Sequence, residues 1–141
     1  MKIIAANAVP EPARDEKVLQ IANDADIAEL AQSGAFDGVT RIDLSFPKFT
    51  DGRAYSQAVL LRRRYKFGGD LRATGDVLID LLVHMQRSGF TSAVLAEGVN
   101  PEAAERQFAR YAAFYQGDVL EPRPHFARDQ APNSHRALEA A

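Results

Sequence analysis

FTDGR (Phe49 to Arg53) and LRATGD (Leu71 to Asp76) hold the residues of this 141-residue chain best equipped for chemistry. Asp51, Arg53 and Ser56 together suit the start of an anion-binding helix. Such a start offers free backbone N–H groups and a positive dipole end, to which Arg53 adds a bidentate clamp. The same residues also fit a structural role, with Asp51 capping the helix and Arg53 paired to that or another carboxylate. Arg72 falls in a short strand, where burying an unpaired guanidinium is prohibitive. It needs a carboxylate, with Asp51, Asp76 and Asp80 as candidates, or an anionic ligand.

Asp76, Asp80 and His84 follow at intervals of four and would share one stripe of a helix. Asp76 is placed to cap that helix. Asp80 and His84 are either an acid–base pair, since histidine titrates near neutrality, or an ordinary exposed pair. A metal between them would need further ligands that the sequence does not supply, so no metal site is assigned. There is no cysteine, which excludes disulfides, thiolate catalysis and cysteine-ligated metal centres. Neither the spaced-glycine dinucleotide fingerprint nor the phosphate loop with its lysine occurs, so no nicotinamide or flavin cofactor is identified.

The formal charge of -2 gives nucleic acid nothing to follow. The local run Arg62, Arg63, Arg64 and Lys66 reads as a solvated helix face, so no nucleic-acid partner is expected. No apolar run reaches membrane-spanning length and the first residues lack a signal-peptide layout; a cytoplasmic protein with no membrane partner is the expectation.

The elements that must position these residues follow from periodicity. Residues 1–17 read as a strand or arm, with Lys2 to Ala6 able to pair at a sheet edge before Pro10 and Pro12 intervene. The core is expected over 18–117. Val18 to Ala22 is a strand, followed by a short helix capped by Asn23 or Asp24 and stopped at Ser33–Gly34. Val39 to Leu44 is a strand, Arg53 to Tyr65 a helix, and Asp70 to Ala73 a strand that turns directly into a helix over Val77 to Arg87. Thr91 to Ala96 is a strand, and Pro101 with Asn100 as cap opens a helix reaching Tyr115. Tyr111, Phe114 and Tyr115 suit either core packing or a subunit contact, such as a homodimer. Residues 118–141 read as an extended arm and tail. Alternating strands and helices predict a single α/β domain built of βα units on a mostly parallel sheet. The loops leaving its strand ends, Phe46 to Gly52, Thr74 to Asp76 and Glu97 to Asn100, then share one rim, where Asp51, Arg53, Arg72 and Asp76 would form a charged cluster.

Phe46 to Ser56 (FPKFTDGRAYS), Leu71 to Leu78 (LRATGDVL) and the turn Arg87 to Phe90 (RSGF) together resemble a bacterial family, domain of unknown function 934, over roughly Ile42 to Gly117. The resemblance carries over Phe46, Pro47, Phe49, Asp51, Gly52, Arg53 and Ser56, and then Leu71, Arg72, Gly75, Asp76 and Asp80. Members are described as oxidoreductases of sulfite reduction and are encoded beside assimilatory sulfite or nitrite reductases and adenylylsulfate reductase. It therefore implies a place in sulfur assimilation, as an accessory protein docking on sulfite reductase or a related enzyme. The alternative it leaves open is a small oxidoreductase, or an oxyanion- or nucleotide-binding enzyme, built on the rim cluster. This chain departs from the family pattern at Leu81, where glutamine is usual, and at Ser88, where cysteine is usual, so no thiol stands in the RSGF turn.

Overall fold

The computed structural model describes residues 1–110, and among them five strands form one parallel sheet. The strands are β1 (Lys2–Ile4), β2 (Val18–Ile21), β3 (Arg41–Phe46), β4 (Asp70–Gly75) and β5 (Ser92–Val94). Helices α1 (Ile27–Gln32), α2 (Arg53–Arg63), α3 (Leu82–Ser88) and α4 (Pro101–Arg110) alternate with them. The α/β class and the parallel sheet are as the alternating pattern predicts. The order across the sheet is β1-β5-β4-β3-β2. From β2 to β5 each strand is therefore laid down beside the one before it, always stepping the same way. Right-handed crossovers stepping in one direction deliver their helices to one face. The helices do form a single row: α1 packs on α2, α2 on α3, α3 on α4, and α4 reaches β1 at the edge.

Strand alternation divides the residues between the two faces. Ile42, Leu44 and Phe46 of β3, Leu71 and Ala73 of β4, and Ala93 of β5 meet Ala54, Ala58 and Leu61 of α2 and Leu82 and Met85 of α3 in one core. Phe46 is its aromatic centre, with Tyr55 at 5.0 Å and Phe90 at 5.7 Å between ring centroids. The intervening residues, Arg41, Asp43, Ser45, Asp70, Arg72, Thr74 and Ser92, point to the other face. No described helix packs there.

Several element ends shift by one or two residues from the sequence reading, and three helix starts differ in kind. α1 is capped by Asp26, whose carboxylate accepts from the N–H groups of Ala28 and Glu29, rather than by Asn23 or Asp24. α2 has Gly52 as its N-cap residue, and Asp51 stands one position earlier. The expected helix over Val77 to Arg87 is broken. Val77 is held in a turn by its N–H to the Gly75 carbonyl, and its own carbonyl accepts from Ala96 N–H across the sheet end. Leu78 is extended, a short 3-10 turn covers Ile79–Leu81, and the α-helix begins only at Leu82. By contrast, Asn100 caps α4 by accepting from Glu102 N–H at 2.9 Å, as expected. The expected extension of that helix to Tyr115, the contact residues Tyr111 and Phe114, and the arm over 118–141 lie outside the described residues.

Candidate functional site

The two motifs meet at the carboxyl ends of β3 and β4. Gly75 ends β4 with φ of +95°, and a Cβ on it would lie 2.4 Å from the Phe46 carbonyl oxygen, so only glycine fits there. The turn lets Asp76 N–H reach Phe46 O at 2.8 Å and carries the Asp76 carboxylate to the N–H of Phe49, also at 2.8 Å. Asp76 thus joins the FTDGR loop to the LRATGD strand and does not cap a helix. Phe49 itself stays half exposed on the rim.

Beside this junction Asp51 and Arg53 close on one another. Arg53 Nε and Nη2 donate to the two carboxylate oxygens at 3.1 and 2.7 Å, Arg53 N–H adds a third bond, and Asn23 Nδ2 donates to Oδ2 at 2.7 Å. The Arg53 side chain, through this fork and its own N–H, holds the Asp51 carboxyl well below the usual carboxylate range, with Asn23 adding to the effect. The guanidinium is correspondingly shifted upward by Asp51. Its fork is engaged, and Ser56 is exposed, with no hydrogen bond from its hydroxyl to a described residue. This is the structural reading of the first motif.

The stripe of Asp76, Asp80 and His84 does not exist as a unit. Asp76 precedes the helix, Asp80 is exposed in the 3-10 turn, and no hydrogen bond or ion pair joins Asp80 to His84. His84 instead places its ring 4.2 Å from that of Tyr55. Desolvation there, and then the charge of Arg87, pull its pKa below the ordinary histidine value. Burial pushes the Tyr55 phenol upward, and its Oη is buried without a partner. Among the described residues no three His, Asp or Glu side chains gather as a metal site, and no helix is long and apolar enough to cross a membrane.

Arg72 is not on the rim. It stands in the middle of the helix-free face, far enough from Asp51 and Asp76 to form no hydrogen bond or ion pair with either, so the four-residue rim cluster is divided in two. Register sets its neighbours: Asp43 of β3 on one side and Ser92 of β5 on the other. Arg72 Nε donates to Ser92 Oγ at 3.1 Å, and Nη2 lies 3.5 Å from Asp70 Oδ2. Asp70 is also the acceptor for the hydroxyls of Thr91 and Ser92. Arg72 is 6% exposed, yet its Nη1 has no partner.

The same face holds a second network that the motif reading missed. Arg41, buried like Arg72, forks onto Asp43 through Nε at 2.8 Å and Nη2 at 3.4 Å, and gives Nη1 to Glu16 at 2.8 Å. Toward the carboxyl ends of the strands an open hollow of about 500 Å³ is lined by Gln20, Ile21, Ala22, Asp43, Ser45 and Thr74. Gln57 fixes its border by donating from Nε2 to the carbonyls of Ala22 and Ala25. The signal for this face was present in R-I-D-L-S (Arg41 to Ser45) and D-L-R-A-T (Asp70 to Thr74). Polar and apolar residues alternate strictly there, and period two is the mark of a strand with unlike faces. Arg62, in the basic run, is structural: it donates to the carbonyls of Gly89, Phe67 and Gly69 and so ties α2 to the starts of β4 and β5.

A family model described as a bacterial protein of unknown function (DUF934) matches residues 18–126, and the chain belongs to that family. The match extends the resemblance read from the motifs back from Ile42 to the start of β2 and forward from Gly117 to residue 126. No curated protein and no solved structure matches the chain.

Proposed function

We propose that this DUF934 chain is an accessory protein of assimilatory sulfite reduction that docks on its partner enzyme through the helix-free face of the sheet. The pathway rests on the family resemblance carried by the FTDGR and LRATGD motifs. The docking surface rests on one observation: a parallel sheet whose second face carries the accessible Lys2, Gln20, Ser45, Asp70 and Thr74 around a buried polar layer of Arg41, Asp43, Arg72 and Ser92, with no described helix over it. All-parallel sheets occur almost only with both faces covered. A face this polar does not suit the apolar stripe of a helix, whereas protein–protein surfaces carry ordinary polar content. Its charges are fixed in place by strand register, as a surface that must match one partner requires. The rim, where Arg53 is already closed on Asp51, adds the half-exposed Phe49.

The test is co-purification of tagged chain with sulfite reductase under oxidising and reducing conditions. Gln20→Trp and Ser45→Arg, at the hollow, should abolish retention while leaving the circular dichroism spectrum and melting cooperativity intact; Arg53→Ala should retain the reductase. Retention that ignores both face variants, or no association under any condition, would sink this reading.

A further inference from the structure

We propose that Arg72 is the receptor for a small oxyanion bound on the helix-free face of the sheet. A guanidinium carries five N–H donors in one plane, and it keeps its charge at any accessible pH. In Arg72 the edge formed by Nε and Nη2 is taken up by Ser92 and Asp70. Nη1 is the opposite corner of that plane, and its N–H groups have no acceptor although the residue is only 6% exposed. A buried donor left without an acceptor is costly even when the rest of the group is paired, so a fold keeps one when something else supplies the acceptor.

The neighbouring groups decide which acceptor fits. Asp70, the carboxylate paired with Arg72, already accepts from the hydroxyls of Thr91 and Ser92, and its ion pair to Nη2 is long at 3.5 Å. Asp43, the cross-strand neighbour, is taken by the fork of Arg41. Neither aspartate reaches Nη1. Further along the face Ser45 Oγ and the Gln20 amide have no hydrogen-bond partner among the described residues and border the open hollow, while Lys2 stands in the same cross-strand row as Ser92 and Arg72. The cross-strand row of Arg72 therefore holds a hydroxyl, an amide and a second cation beside Asp43, and both Asp43 and Asp70 are already paired. A compact anion with several terminal oxygens, of the sulfate or phosphate kind, matches that set. Arg53, with its fork closed, does not.

The site needs no partner protein and is tested without one. Inorganic sulfate and inorganic phosphate are titrated into the full chain by calorimetry and by amide chemical shifts. Saturable binding is expected, with shifts centred on Leu71 to Ala73 and Ser92. Arg72→Lys should weaken it at least tenfold and Arg72→Gln should remove it, while Arg53→Lys leaves it unchanged. Should either Arg72 variant fail to fold, the location of the shifts in the wild-type chain decides. Shifts confined to Gly52 to Ala54, equal affinity in wild type and Arg72→Lys, or no saturation by either anion would overturn the proposal. Anion binding lost with co-purification intact would remove this inference alone; the reverse would remove only the docking surface.

Discussion

The two faces of this sheet are made by alternate residues of the same strands, yet they are held by different physics. On the helix side, Ile42, Leu44, Phe46, Leu71 and Ala73 are fully buried among apolar neighbours. That face gains from every methylene removed from water and is indifferent to partner or pH. On the other side Arg41 and Arg72 are also buried, but against carboxylates and hydroxyls. A buried ion pair contributes little net stability and costs much when one member is removed. Apolar burial holds one face and paired charges the other, so mutations of equal size should have unlike consequences on the two.

The sharpest separation comes from Phe46. Truncating a fully buried phenylalanine typically costs about 3–5 kcal/mol, through lost transfer energy and the cavity left behind. Phe46→Ala should therefore lower the unfolding free energy extrapolated from urea denaturation by that amount, without altering any anion or partner response per folded molecule. A loss below about 1 kcal/mol would mean that the helix-side core is not what holds the sheet.

Arg41 should be nearly as damaging for the opposite reason. Arg41→Met leaves Asp43, itself buried, without its cation, and breaking a buried pair in this way costs roughly 3 kcal/mol. Removing both charges should restore most of that loss: Arg41→Met/Asp43→Leu is expected close to wild type in the same denaturation experiment. Additive losses in the double variant would show that the pair itself, not an orphaned charge, is the stabilising element.

Gly75 joins the rim to both faces. Gly75→Ala imposes a Cβ 2.4 Å from the Phe46 carbonyl oxygen at φ +95°, so the turn must shift. A cost of about 1–3 kcal/mol is expected from the strained backbone. The amide protons of Phe49 and Asp76 should lose exchange protection together, since both bonds depend on that turn. Protection that survives at Phe49 would separate the two motifs again.

These comparisons also mark what could be read in advance. Repeated strand and helix periods identify the parallel α/β sheet, and Asn100–Pro101 marks a helix start by residue chemistry alone. The FTDGR loop and the Gly75–Asp76 turn do lie at one edge, because parallel strands bring their exits together, but Asp51 and Arg53 pair with each other and Asp76 with Phe49 N–H. Arg72 was misplaced because a strand residue two positions before a turn reads as near the rim, whereas its side chain points across the sheet face. The helix start before Asp80 failed for a tertiary reason. Val77 is tied to Ala96, a residue far along the chain, and no local propensity reports that bond. Asp76 looks like a cap in sequence, but its carboxylate is taken by Phe49 N–H. Arg41 and Asp43 were legible as alternation, yet nothing local says that no described helix covers their face. That follows only from strand order.

The smallest effect belongs to the rim, and it tests whether Arg53 is closed on Asp51 or free to hold a ligand. An aspartate whose folded pKa is held down contributes stability that is fully present above its unfolded value, about 3.9, and is lost as pH falls through the folded value. For Asp51 that window lies entirely on the acid side of the ordinary carboxylate midpoint, because Arg53 and then Asn23 favour the ionised form. The carboxyl carbon of Asp51, followed by NMR, should stay ionised when exposed aspartates have already titrated. Arg53→Ala should return its midpoint toward the ordinary value. Added salt should do the same in part, since the Arg53 side chain is 60% exposed and its attraction is screened. If the midpoint is unchanged in Arg53→Ala, Asn23 and the backbone hold the charge instead. The Arg53 fork would then be free, and the rim would again compete with Arg72 as the place where an anion binds.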